Sequence, residues 1–158
     1  MPIHTIPPIF DADCHTLILG SFPSVKSREV AFYYGHPQNR FWKVLAAVFG
    51  EDVPQTVEEK TALLLHHHIA LWDVVASCEI HGSSDASMRQ VVPNDLSPIL
   101  QAAPIERIFT NGGTAHQLYQ KLILKKTGIP DIPLPSTSPA NARCSLADLT
   151  EKWLCIRE

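Results

Sequence analysis

The chain has no excess of charge of either sign, no long apolar run and no paired cysteines, and each absence removes a class of protein. Charged residues make up 18% of the 158 residues and the formal net charge is −3. That balance argues against coating nucleic acid through charge alone, while leaving room for a small enzyme with one basic face. No apolar stretch approaches the ~18–20 residues that span a bilayer. The opening Met1-Pro2-Ile3-His4 has neither the basic start nor the apolar stretch of a secretory signal. A cytoplasmic protein without a membrane partner is the expectation. Cys14, Cys78, Cys144 and Cys155 form no C-x-x-C pair, so free thiols are expected rather than disulfides or a metal cluster. The run His66-His67-His68 cannot converge on one ion, because adjacent positions on a helix face different ways. No metal and no cofactor is implied. No G-x-G-x-x-G loop is present, which weighs against a small-molecule or nucleoside-processing hydrolase on a nucleotide-binding sheet.

What is present is an ordinary globular composition, 45% hydrophobic, with no repeat, linker or low-complexity tract. One domain over residues 1–158 is expected, large enough to bury its own core. Residues 1–15 read as a proline-rich lead-in. Thr16-Leu17-Ile18-Leu19, stopped by Gly20, reads as a buried strand. Residues 41–49 carry an apolar stripe at helical spacing, closed by Gly50 as a C-terminal cap. Thr56 with Glu59 three residues on predicts a capping box and a helix to residue 68. Residues 69–75 read as a strand or a strand-like turn, and residues 77–90 as a polar loop. A helix follows over residues 96–103, capped by Asn94 or Asp95, then a strand over 105–110 and a helix over 114–126. A short strand over 129–134 and a last helix over 146–156 complete the chain. Strands alternating with helices predict an α/β fold, a three-layer α/β/α sandwich around a four-stranded, mostly parallel sheet. Gly20, Ser77, Asn111 and Ser136 fall at or just beyond strand ends, where such sheets gather their ligand loops.

Two loops carry the chemistry. The first begins Gly20-Ser21-Phe22-Pro23-Ser24-Val25-Lys26-Ser27 and ends Tyr33-Tyr34-Gly35-His36-Pro37-Gln38-Asn39-Arg40-Phe41-Trp42. The second is Leu134-Pro135-Ser136-Thr137-Ser138-Pro139-Ala140-Asn141-Ala142-Arg143. Glycine lets a backbone approach a ligand closely and proline fixes a loop's shape, although any strand exit can use both. Phe41 and Trp42 are read as helix core. Asn39 suits a helix cap, and Asn111-Gly112 suits a type I′ turn as well as a polar contact to a ligand. Ser83, Ser84 and Asp85 lie in a polar loop where solvation is the ordinary role. Lys26 fits a phosphate contact better than a Schiff-base nucleophile, since nothing indicates a desolvating pocket.

Together these loops resemble the two motifs of the uracil-DNA glycosylase superfamily. Gly-Ser-Phe-Pro-Ser, Tyr-Tyr-Gly-His-Pro-x-Asn and Leu-Pro-Ser-Thr-Ser-Pro-Ala most resemble its hypoxanthine-DNA (deoxyinosine) glycosylase branch, related to the mismatch-specific uracil and thymine enzymes. The resemblance implies a monofunctional glycosylase that removes a flipped deaminated base, hypoxanthine first and uracil second, from damaged DNA during base excision repair, as a monomer. It implies base binding by Gly20, Ser21, Phe22, Pro23, Ser24, Tyr34 and Asn111, with Tyr34 stacking on the base at ~1–3 kcal/mol. The asparagine of the mismatch-specific first motif is Phe22 here, and in the resembled branch catalysis rests instead on the position of Asn39. DNA contacts are implied for Lys26, Pro135, Ser136, Thr137, Ser138, Pro139, Ala140 and Arg143: hydroxyls and N–H groups on phosphates, Pro139 and Ala140 as the wedge in the vacated stack. The histidine that opens the second motif of the main uracil-specific family is Leu134 here. Loss of both residues is also what a non-catalytic damage-binding module on the same fold would show.

Overall fold

The computed structural model describes residue 4 and residues 6–23, 25–30, 32–79 and 89–157. In chain order its elements begin β1 (Thr16–Gly20), α1 (Val25–Val30), α2 (Phe41–Phe49), α3 (Val57–His66), β2 (Ile69–Asp73), β3 (Val75–Glu79) and β4 (Arg89–Pro93). They continue α4 (Ser97–Ala102), β5 (Arg107–Asn111), α5 (Gly113–Leu122), α6 (Leu124–Thr127), β6 (Asp131–Leu134) and α7 (Leu146–Trp153), with a closing 3-10 turn over Leu154–Arg157.

Four strands pair in parallel in the order β2-β1-β5-β6. β1 is buried along its whole length, as a central strand covered on both faces must be. Its side chains alternate between two cores. Ile18 joins Leu71 and Phe109 against Phe41 and Leu45 of α2 and Trp153 of α7. Leu17 and Leu19 join Ala70 and Ile108 against Ile99 of α4 and Tyr119 of α5. The expected three layers are therefore present. The chain leaves β1 for β2 on one side, while β5 leads to β6 on the other. The crevice outside the carboxyl ends of β1 and β5 is thus the topological switch point where such sheets hold ligands.

Local signals account for most of the helices. α2 runs over residues 41–49 and Gly50 closes it at φ +67°. Thr56 accepts the Glu59 N–H while the Glu59 carboxylate caps the Thr56 N–H, so α3 starts with the complete capping box. Ser145 and Asp148 do the same for α7.

The departures have physical reasons. Residues 77–90 were expected as loop, yet β3 and β4 form an antiparallel pair outside the main sheet. Most of β4 faces solvent, so no apolar alternation marks it. The helix expected over 114–126 breaks at the buried Ile123 into α5 and α6. α4 starts at Ser97, and Asp95 accepts the Ser97 N–H at 3.0 Å. Asn111-Gly112 is a strand-to-helix joint with Gly112 at φ +98°, not a type I′ hairpin, because the next strand is parallel and needs a crossover. The lead-in is tied down: Ile9 bridges Leu71, and the His4 N–H donates to the Ala76 carbonyl at 2.6 Å. Within the histidine run the adjacent His66 and His67 lie together, against the expectation that neighbours face apart, and only His68 is separate. His67 stacks on Phe49 and pairs with Glu51 beside His66, while His68 lies against His15.

Candidate active site

The two loops meet at the switch point around a cavity of about 620 Å³. Gly20, Ser21, Phe22, Pro23, Tyr34 and Asn39 line it from the first loop. Ser136 to Asn141 line it from the second, and Asn111 and Asp73 from the strand ends between. Pro135 and Arg143 are not in its wall. Ser77 is in β3, away from the cavity. Ser24, the side chain of Lys26 and the Ser83-Ser84-Asp85 stretch lie outside the described residues.

Asn39 is held from two directions. Its Oδ1 accepts the Phe41 N–H at 3.0 Å, turning the chain into α2, and the Thr137 hydroxyl at 2.9 Å. Thr137 is fully buried. Its Oγ1 accepts from Asn111 Nδ2 at 3.1 Å, and its N–H donates to Asn111 Oδ1, also at 3.1 Å. A directed chain results, Asn111 to Thr137 to Asn39, and it fixes the Asn39 amide with its oxygen inward. The Nδ2 group is then the part of Asn39 available to a ligand, as a donor. Thr137 departs from its expected role: its hydroxyl and N–H are committed inside the protein and do not offer themselves to phosphates. Asn111 likewise spends both ends of its amide bracing Thr137.

Arg40, to which the sequence reading assigned no role, fastens the second loop to the first. Its guanidinium donates to the carbonyls of Ser138 at 2.9 Å, Asn141 at 3.0 Å and Cys144, and its N–H donates to the Thr137 carbonyl. The second loop also folds on itself. Ser136 Oγ accepts the Ser138 N–H, Ser138 Oγ accepts the Ala140 N–H, and Asn141 Nδ2 reaches the Ser136 carbonyl. Both serine hydroxyls keep their own hydrogens for outside acceptors. Pro139, Ala140 and Arg143 are exposed at this rim.

The aromatic pair divides its work. Tyr33 is buried, donates to the Pro7 carbonyl at 2.9 Å and receives the Trp42 indole N–H on its own carbonyl. Burial pushes its phenol well above the ordinary tyrosine value. Tyr34 lines the cavity with its ring stacked on Phe41, centroids 4.1 Å apart and planes 19° apart. Its φ of +53° is rare for a residue with a bulky side chain, a strain found where function fixes the backbone.

Asp73 and His4 were not foreseen. Asp73 ends β2, pairs in register with Gly20 of β1 and is 3% exposed. Its Oδ2 accepts from His4 Nε2 at 2.8 Å. An acidic residue closing the apolar run Ile69-Ala70-Leu71-Trp72 was the available signal for Asp73. His4, 69 positions away, gave none.

Comparison with known proteins shows the family. The family model described as the uracil DNA glycosylase superfamily matches residues 7–158. The hypoxanthine DNA glycosylase of Methanosarcina acetivorans is 35% identical over 140 residues, 88% of each chain. That of Methanosarcina barkeri is 32% identical over 148 residues, 93% of this chain and 92% of the relative. The solution NMR structure of a candidate uracil DNA glycosylase from Methanosarcina acetivorans superposes with a TM-score of 0.80 at 32% identity, covering 97% of both chains.

Proposed function

The chain belongs to the uracil DNA glycosylase superfamily, and from that premise we propose that it hydrolyses the N-glycosidic bond of a deaminated base flipped out of DNA, hypoxanthine first and uracil second. The observation that carries this reading is the Asn39 amide, locked by Thr137 and the α2 N-terminus so that its donor end is left for the cavity. The names of the two Methanosarcina relatives supply the base preference.

The nucleotide leaves the stack at a cost of a few kcal/mol. The braced second loop holds the backbone, Ser136 and Ser138 donating to phosphates, Pro139 and Ala140 entering the gap and Arg143 adding charge at the rim. The base enters the cavity and lies against Tyr34. As the bond from C1′ to the base nitrogen breaks, the sugar becomes oxocarbenium-like beside the negative phosphates, and the electron pair departs with the base. Asn39 Nδ2 donates to that developing anion, a fixed dipole that needs no reorganisation. Water adds its oxygen to C1′, and its proton ends on the departing base. No cofactor enters this scheme. No helix among the described residues is long and apolar enough to cross a membrane, and the protein acts as a monomer in the cytoplasm.

The test is incubation with duplexes carrying one hypoxanthine, uracil or xanthine, followed by alkaline cleavage of abasic sites. Strand breaks at hypoxanthine are expected, and Asn39→Ala should slow them about 10²–10³-fold, the usual cost of removing one such donor. Wild-type rates in Asn39→Ala would overturn the role of Asn39. Tight binding of every damaged duplex with no cleavage would make the protein a binding module.

A further inference from the structure

We propose that Glu51, His66 and His67 form a binding site for one divalent metal ion of the zinc class, a clip between the ends of α2 and α3. The site lies outside the catalytic scheme and stands whether or not the glycosylase reading does.

Local structure brings the three donors together. Gly50 and Glu51 close α2 in a Schellman turn. The Gly50 N–H donates to the Ala47 carbonyl at 3.3 Å and the Glu51 N–H to the Ala46 carbonyl at 2.9 Å. The second of these positions often packs an apolar side chain back onto its helix, but here it holds a carboxylate that pairs with His67. His66 is the last residue of α3, and His67 caps it at φ −98° and ψ 11°, outside helical geometry. The offset of about 100° between successive helical positions therefore no longer separates the two rings, and their centroids lie 4.9 Å apart. His68, at φ +61°, turns away to His15. Three histidines do not converge, but two do, with Glu51 from the other helix as the third donor. One ligand atom from each lies within 4.8 Å of the other two.

The donor set selects the ion. Two imidazoles and one carboxylate are a set zinc takes where it leaves a fourth position to water. Magnesium and calcium favour oxygen ligands instead. His67 is held ready: its ring stacks on Phe49, centroids 3.8 Å apart and planes 10° apart, with Nε2 paired to Glu51 Oε2. An ion takes the place of the proton between that pair. Glu51 and His66 also line an open cleft with Asp52 and Glu59, and among the described residues no lysine or arginine lines it. The cleft gives water ligands room and keeps the local potential negative. The carbonyl ends of two helices, α2 and α3, add to the attraction for a cation.

Place in the fold decides what the ion does. β2 starts at Ile69, just beyond the histidines, and ends with Asp73 in the cavity wall, roughly 13 Å of strand. The ion therefore stands away from the reacting base and acts on stability. It ties Glu51 to the end of α3, a linkage available only to the folded chain.

The experiment uses the full chain stripped of metal with a chelator and then dialysed. Calorimetric titration with zinc chloride is run at about pH 7.5, because histidine ligands must be neutral. One ion per chain should bind with a micromolar dissociation constant, and Tm should rise as zinc saturates the site. Magnesium chloride should not bind at the same concentrations. Cobalt(II) in place of zinc should show the visible absorption of a four- or five-coordinate ion. His66→Gln and Glu51→Gln each remove one exposed donor, so without zinc both should melt like wild type. With zinc, each should bind at least about tenfold more weakly, since losing even an outer partner of a ligand costs 10–100-fold. Both should also lose the cobalt spectrum and the zinc-dependent rise in Tm. Three results would overturn the assignment: no saturable zinc binding by wild type below millimolar concentrations, magnesium bound as tightly as zinc, or zinc affinity unchanged in both variants. The last would place the ion on other histidines or cysteines.

Discussion

Replacing Thr137 by valine tests whether the Asn39 amide must be held from behind. The two side chains have nearly the same shape, so the change deletes one hydroxyl and little packing. That hydroxyl makes two hydrogen bonds, to Asn39 Oδ1 and from Asn111 Nδ2, in a fully buried position. At a net ~0.5–1.5 kcal/mol each, their loss destabilises the protein by about 1–3 kcal/mol. For a domain of this size that lowers Tm by roughly 2–12 °C. The Thr137 hydroxyl is spent on the Asn39 and Asn111 amides, so the effect of its loss on excision passes through Asn39. Freed to rotate, Asn39 gives up part of the ~2.7–4 kcal/mol that a fixed donor contributes to a developing anion. Single-turnover excision of hypoxanthine at a temperature where both proteins are folded should fall by about tenfold or more, up to the 10²–10³-fold limit set by removing Asn39. Thr137→Ser keeps the hydroxyl and should keep most of the rate. A valine variant with the expected loss of Tm but wild-type single-turnover rates would refute the argument that bracing fixes the donor.

Other expectations follow from the same contacts. Arg40→Lys cannot reach three carbonyls with one ammonium, so the second loop loosens and anisotropy should show duplex affinity reduced by about tenfold. Arg143→Ala should weaken every duplex alike and lower the slope of log K against log salt by about one. Asp131 gives a pH signature. Burial alone would raise its carboxyl, but donors from Thr110, His116 and Gln120 outweigh burial and hold it below the ordinary carboxylate range. A folded-state pKa below the unfolded value of about 3.9 stabilises the fold above that pH, and the contribution is lost as pH falls through the folded value. Asp131→Asn should therefore melt lower than wild type at pH 7, with the gap narrowing below about pH 4. In thiol labelling, half-buried Cys144 and Cys155 should react before Cys14, which is buried and pushed up to about 11 by that burial.

The sequence by itself determined the sheet strands, the capped helices and the two loops, because those signals are local. A capping box needs four neighbouring residues and a buried strand needs only its own apolar run. The motif resemblance pointed to Asn39 and Tyr34 on the same local footing, and both line the cavity. The β3 and β4 pair escaped notice because β4 is mostly solvent-facing and gives no periodic signal. The tertiary structure decided what each site residue is bonded to. Thr137 reads as a rim hydroxyl in sequence and becomes the buried link to Asn39 because a partner 98 positions away closes over it. Asp73 and His4 have meaning only once β1 and β2 lie side by side and the lead-in returns along their ends. Hydrogen-bond partners that distant depend on strand order and register, which pairwise spacing along a chain does not encode.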